Sequence, residues 1–68
     1  MNDSVTANGE LVSVELPCSL ETFLVRQSLL PKSVVVELNG EAVAPSEFSG
    51  LQLANEDRLE IVRIAAGG

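Results

Sequence analysis

Apolar and polar residues alternate with a period of two over much of this 68-residue chain, the pattern of strands with one buried face. Val5 and Ala7 flank Thr6, and Val12, Val14 and Leu16 alternate with Ser13 and Glu15, with Asn8-Gly9 between the two runs. Asn-Gly accepts the positive φ of a tight primed turn, so these runs predict a β-hairpin. Pro17 has no amide hydrogen to continue the ladder, and Ser19 stands where a helix N-cap accepts a backbone bond. Leu20, Phe23 and Leu24 then make an i, i+3, i+4 stripe, with Glu21 in the first turn and Arg26 later, as the helix dipole favours. Gln27 interrupts that stripe, Leu30 resumes it and Pro31 blocks it, which places the predicted helix end within residues 28–30.

The alternation returns at residues 33–38, with Val34, Val36 and Leu38 on one face and Val35 and Glu37 on the other, and stops at Asn39-Gly40. This reads as a central strand with a second hairpin turn, and residues 41–44 can pair back. Pro45 opens an irregular segment in which Phe48 is the expected buried anchor, and Leu51 and Leu53 suit a very short edge strand. After the polar turn Asn55-Glu56-Asp57, residues 58–64 predict a last strand, with Leu59 and Ile61 on one face and Glu60, Val62 and Ile64 on the other. The order of elements predicts an α+β two-layer domain, a mixed sheet of four to five strands with one helix on one face. The domain is expected to occupy residues 1–64, and Ala65-Ala66-Gly67-Gly68 to form a flexible tail.

Composition narrows the chemistry. At this length there is one domain, and 46 % apolar against 21 % charged residues is a globular balance. Phe23 and Phe48 are the only aromatics, so the core must be mostly Val, Leu and Ile. With no histidine and a single cysteine, Cys18, neither an internal disulfide nor a Cys/His zinc site can be built. Phosphate-loop and Ser/His/Asp patterns are also missing, so the chain is not expected to be an enzyme, to bind a cofactor or to hold a metal. A formal charge of −6 argues against nucleic acid and anionic membranes and for basic partner surfaces. The N-terminus lacks the charged and apolar regions of a secretion signal, and no run is long enough to span a membrane, so the expected location is the cytoplasm and the expected state a monomer.

Several polar residues carry a sharper and a plainer reading. Glu37, Glu41, Glu47, Glu56, Asp57 and Glu60 could steer a basic partner, but each alone reads as a solvated side chain. Glu56-Asp57 reads as a polar turn rather than as paired catalytic acids. Cys18 lies where a helix N-terminus would activate a thiol, yet a small half-buried residue is the simpler reading.

Residues 34–41, Val-Val-Val-Glu-Leu-Asn-Gly-Glu, then Pro45-Ser46-Glu47-Phe48, then residues 56–63, Glu-Asp-Arg-Leu-Glu-Ile-Val-Arg, and the terminal Gly67-Gly68 together resemble the ThiS family of bacterial sulfur carriers of thiamin biosynthesis. The resemblance covers about residues 4–68 and is strongest after Val34. Two departures stand out. Asn55-Glu56-Asp57 replaces the family's usual Asp-Gly-Asp, and Gln27-Ser28 replaces an apolar residue and a glycine at the helix end.

The resemblance implies a ubiquitin-like β-grasp fold and a carrier rather than a catalyst. Gly68 would be the site of adenylation and thiocarboxylate formation, and Ala65, Ala66 and Gly67 would thread into a partner's active site. The implied partners are a ThiF-like adenylating enzyme that uses ATP, a sulfur donor protein, and a ThiG-like thiazole synthase. Val35, Val62 and Ile64 are candidate docking residues if their two strands are neighbours in the right register. A molybdopterin-synthase small subunit and a ubiquitin-like modifier or interaction domain are the alternatives. The first of these tends to carry aromatic and proline residues where this chain has Ile61-Val62-Arg63-Ile64-Ala65.

Overall fold

The computed structural model describes residues 3–64. Five strands form one mixed sheet: β1 (Asp3–Ala7), β2 (Glu10–Val14), β3 (Val34–Leu38), β4 (Glu41–Val43) and β5 (Arg58–Arg63), in the order β2-β1-β5-β3-β4. One helix, α1 (Leu20–Arg26), joins the second strand to the third. Both hairpins form at the predicted dipeptides. β1 and β2 pair antiparallel from Ala7↔Glu10, and β3 and β4 from Leu38↔Glu41. The two turns place Asn8 at φ 52° with Gly9 at 83°, and Asn39 at φ 52° with Gly40 at 87°. Nothing lies within 4 Å of a Cβ added at either glycine, so backbone conformation rather than space selects glycine there.

β5 is the middle strand. It runs parallel to β1 through Thr6↔Arg58 and Ala7↔Leu59, and antiparallel to β3 from Val34↔Arg63 to Leu38↔Leu59. The strand over residues 34–38 is therefore interior, but the last strand is the one at the centre. β2 stops at Val14, short of Leu16. Leu51 and Leu53 do not make a strand; the segment offers only an isolated bridge, Ser19↔Gln52.

The core is a single cluster. Leu20, Phe23 and Leu24 of α1 pack with Val5, Val34, Val36 and Leu59 of the sheet, and Phe48 and Leu53 close one end. The helix starts as its sequence demands. Ser19 Oγ accepts the Thr22 N–H at 3.0 Å, while the Leu20 and Glu21 amides donate to Leu51 O at 2.9 Å and Phe48 O at 3.0 Å. Two of the donors normally orphaned at a helix N-terminus are thus spent on Phe48 and Leu51, just after the Pro45–Glu47 turn, which ties Phe48 to the start of the helix.

The helix end differs from the prediction. α1 closes at Arg26, and Leu30 does not resume the stripe but stands 70 % exposed. Ser28 adopts φ 62°, the Ser28 amide donates to Val25 O at 2.9 Å, and the Leu29 amide reaches back to Leu24 O at 2.9 Å. This is a Schellman termination with serine in the left-handed position that glycine usually fills. Glu56 is the other such case, at φ 73°, in the turn before β5. The two places where the sequence departs from the family's glycines are thus two places where the backbone asks for glycine.

A left-handed non-glycine residue costs about 1–2 kcal/mol, and glycine forfeits about half of that through its freer unfolded chain. Ser28→Gly and Glu56→Gly are each expected to raise stability by about 0.5–1 kcal/mol, read as a higher urea midpoint at constant slope. Phe23→Ala is expected to lose about 3–5 kcal/mol, comparable to the whole stability of a domain this small, and to leave a chain without native circular dichroism at 25 °C.

Candidate functional site

A sheet with a helix on only one face leaves its other face to solvent, and the residues there follow from the period of two. On β5 these are Arg58, Glu60 and Val62, and on β3 they are Glu37 and Val35. The register places Val35 directly opposite Val62 and Glu37 directly opposite Glu60. Ile64 continues the row, because its amide donates to Ser33 O at 2.8 Å and extends the ladder by one pair. Across β3 and β5 the face is therefore graded along its length. Carboxylates gather near the Asn39-Gly40 turn, and apolar side chains gather where β5 approaches residue 65.

Val35, Val62 and Ile64 are 50, 62 and 50 % exposed and are the apolar side chains of this face along β3 and β5, while Leu11 of β2, 77 % exposed opposite Thr6, lies on the same face at the level of Arg58. The structure thus brings together the three residues that sequence reasoning grouped. It also adds one that sequence reasoning missed. Leu30, freed from the helix by the Ser28 turn, lines a shallow groove of about 250 Å³ with Leu29, Val34 and Ile64. The apolar surface therefore wraps around the base of the C-terminal segment. The signal for Leu30 was Pro31 beside it, which ends a helix too early for a helical stripe to include residue 30.

The other candidates separate by their bonding. Asp57 accepts the Ala54 amide at 2.7 Å through Oδ2 and the Asn39 side-chain amide at 3.1 Å through Oδ1, and Glu47 Oε1 accepts the Ala44 amide at 3.2 Å. Both are turn-forming carboxylates. Glu37, Glu41, Glu56 and Glu60 are exposed. Cys18 is 5 % exposed, and its thiol lies 3.4 Å from Ser19 O as a weak donor, as a small core residue would. Among the described residues no group of three or more His, Cys, Asp or Glu is placed to hold a metal, and no helix is long and apolar enough to cross a membrane. Gly68, Gly67, Ala66 and Ala65, the expected reactive end and its thread, lie outside the described residues.

Like charges directly opposite on adjacent strands repel. Glu37→Lys, which turns the Glu37/Glu60 pair into an attractive one, is expected to raise stability by about 0.2–1 kcal/mol in low salt. The gain should shrink as salt is added, as thermal melts across ionic strengths would record.

Comparison with known proteins meets this geometry from outside. The ThiS family model matches residues 5–68. The crystal structure of the thiamine biosynthesis protein ThiS from Geobacter metallireducens superposes with a TM-score of 0.79 at 27 % identity, covering all of both chains. A solution structure of a thiamine biosynthesis protein from the same organism gives 0.76 at 27 % identity, over 100 % of this chain and 88 % of that one. The uncharacterized protein ycf40 of Pyropia yezoensis is 33 % identical over 67 residues, 98 % of this chain and 94 % of that protein. A sheet with the last strand at its centre, one helix on one face, and a family match reaching the terminal Gly-Gly agree on one conclusion: the chain belongs to the ThiS family, the small β-grasp sulfur carriers of thiamine biosynthesis.

Proposed function

We propose that this protein carries sulfur on its C-terminus and that a partner enzyme performs the chemistry. The observation that supports the reading is the exposed Val35, Val62 and Ile64 row at the end of the central strand, whose last residue, Arg63, stands four positions in sequence before Gly67. A terminal carboxylate has a reference pKa of about 3.3–3.7, so Gly68 enters the reaction ionised and is a poor electrophile. Attack of that carboxylate on the α-phosphate of ATP, with pyrophosphate leaving, turns it into an acyl-adenylate. A persulfide sulfur on a donor protein then displaces AMP to give an acyl disulfide, and a second thiol attacks the donor's sulfur, forming a disulfide with it and releasing the thiocarboxylate. ATP belongs to the ThiF-like adenylating enzyme, and the carrier itself binds no cofactor and works as a monomer in the cytoplasm. The thiocarboxylate delivers its sulfur to a ThiG-like thiazole synthase.

The residue types suit that division of labour. Four extended residues span at most about 13–14 Å, enough to reach a buried active site, and alanine and glycine keep the thread narrow. A branched side chain at residue 67 would crowd the carbonyl under attack. The sheet supplies the handle, with the Val35/Val62 pair and Ile64 offering apolar area for docking and the acidic end offering attraction to a basic partner surface.

The deciding experiment is co-expression with the adenylating enzyme and a sulfur source, followed by intact-mass measurement. The carrier should gain the mass difference between sulfur and oxygen at Gly68. Attachment to other proteins through an amide would instead identify a modifier. Gly67→Val is expected to abolish adenylation at an unchanged melting temperature, and normal AMP exchange by that variant would refute the threading role. Val35→Thr combined with Val62→Thr keeps β-branched shapes on the strands, so stability should change by less than about 1 kcal/mol while affinity for the adenylating enzyme falls at least about tenfold.

A further inference from the structure

The turn dipeptide Asn8-Gly9 has a second chemistry. In any Asn-Gly pair the glycine nitrogen, once deprotonated, can attack the asparagine carboxamide carbon. The bond to the side-chain nitrogen breaks, ammonia leaves, and a succinimide ring forms. Water then opens that ring at either carbonyl. One product is aspartate, and the other is isoaspartate, in which the main chain runs through the former side chain.

Nothing crowds this site. Asn8 is exposed, and no atom outside the turn lies within 4 Å of where a Gly9 Cβ would sit. What restrains it is bonding. β1 and β5 pair only at Thr6↔Arg58 and Ala7↔Leu59, and beyond that point the Asn8 carboxamide replaces the missing strand. Its Oδ1 accepts the Ile61 amide at 2.7 Å, and its Nδ2 donates to Ile61 O at 2.9 Å. The atom that would leave as ammonia is therefore the same atom that holds the Ile61 carbonyl. Ring closure swings the carboxamide carbon onto the Gly9 nitrogen, so both bonds to Ile61 must break first.

We propose that Asn8 is a site of spontaneous hydrolytic modification that the fold keeps latent, and that its conversion to isoaspartate frees Ile61 on the β1 side of β5 while the pairing with β3 stays. The consequence follows from the turn. A two-residue loop joins Ala7 to Glu10, and isoaspartate inserts an extra main-chain carbon into it, which breaks the primed-turn geometry. The donor to Ile61 O is lost at the same time. Two hydrogen bonds of ordinary strength separate the protected from the reactive arrangement.

The test uses the natural chain in mildly alkaline buffer, with and without denaturing urea, and peptide mapping of isoaspartate at residue 8. Modification in the folded protein is expected to be at least about tenfold slower than in urea. The purified isoaspartyl form, still in native buffer, should show at least about tenfold faster amide exchange at Ile61. Asn8→Gly, which keeps the turn but removes the carboxamide, should show the same loss of Ile61 protection without forming isoaspartate there. Equal rates of modification with and without urea would overturn the proposal, as would an isoaspartyl chain whose Ile61 amide is as protected as before.

Discussion

Two asparagine side chains hold the centre of this domain. β5 is last in the chain and fits between two hairpins closed by local turns. Each hairpin greets it with the first residue of its turn. Asn8 brackets Ile61 through both polar atoms of its side chain. Asn39 accepts the Arg58 amide at 2.9 Å and donates to the Asp57 carboxylate at 3.1 Å, while its own amide reaches Arg58 O at 2.7 Å. The same residues that supply positive φ for the turns therefore set the register of the middle strand. Because side chains alternate along a strand, a slip of one residue would send Leu59 to solvent and Val62 into the core. The turn asparagines thus tie the core and the exposed face to a single alignment.

That alignment decides where the chain can act. A C-terminal strand at a sheet edge would leave its last residues free to pair sideways, whereas β5 leaves from the middle, between β1 and β3. The residues after Ile64 continue from the best-anchored strand of the molecule. Along β3 and β5, apolar side chains lie toward Ile64 and charge lies toward the Asn39-Gly40 turn. The helix N-terminus, whose first amides all have protein acceptors, offers none to a phosphate.

Much of this was legible in the residues alone, and the reasons are physical. The two Asn-Gly turns, the Ser19 cap and the Phe48 anchor rest on local rules such as positive φ and an N-cap oxygen, whereas the Val35–Val62–Ile64 row also needed the β3–β5 register, which no local pattern carries. The central place of β5 was not legible, because the parallel pairing of the first strand with the last joins residues more than fifty positions apart and leaves no local pattern. Leu30 was misplaced for a related reason. Periodicity cannot show that Ser28 takes a left-handed conformation, and that one torsion moves Leu30 from a helical stripe to the surface beside Ile64. Leu51 and Leu53 have strand-like spacing, yet they serve the helix N-terminus: Leu51 O accepts the Leu20 amide and the Leu53 amide donates to Cys18 O at 2.9 Å.

The positions of Ser28 and Glu56 bear on what the fold tolerates. Both residues sit at positive φ without glycine's freedom, Ser28 at the rim of the groove that Leu30 and Ile64 line. Each strains a boundary, at the end of α1 or before β5, by an amount the neighbouring bonds can bear. At Ser28 these are the two Schellman bonds. At Glu56 they are its own amide to Ser4 O at 2.6 Å and the Ser4 amide to Asn55 Oδ1 at 2.9 Å. A strained turn held in this way returns the chain to the same path as a relaxed one, so the substitutions lower stability without moving the strands they connect.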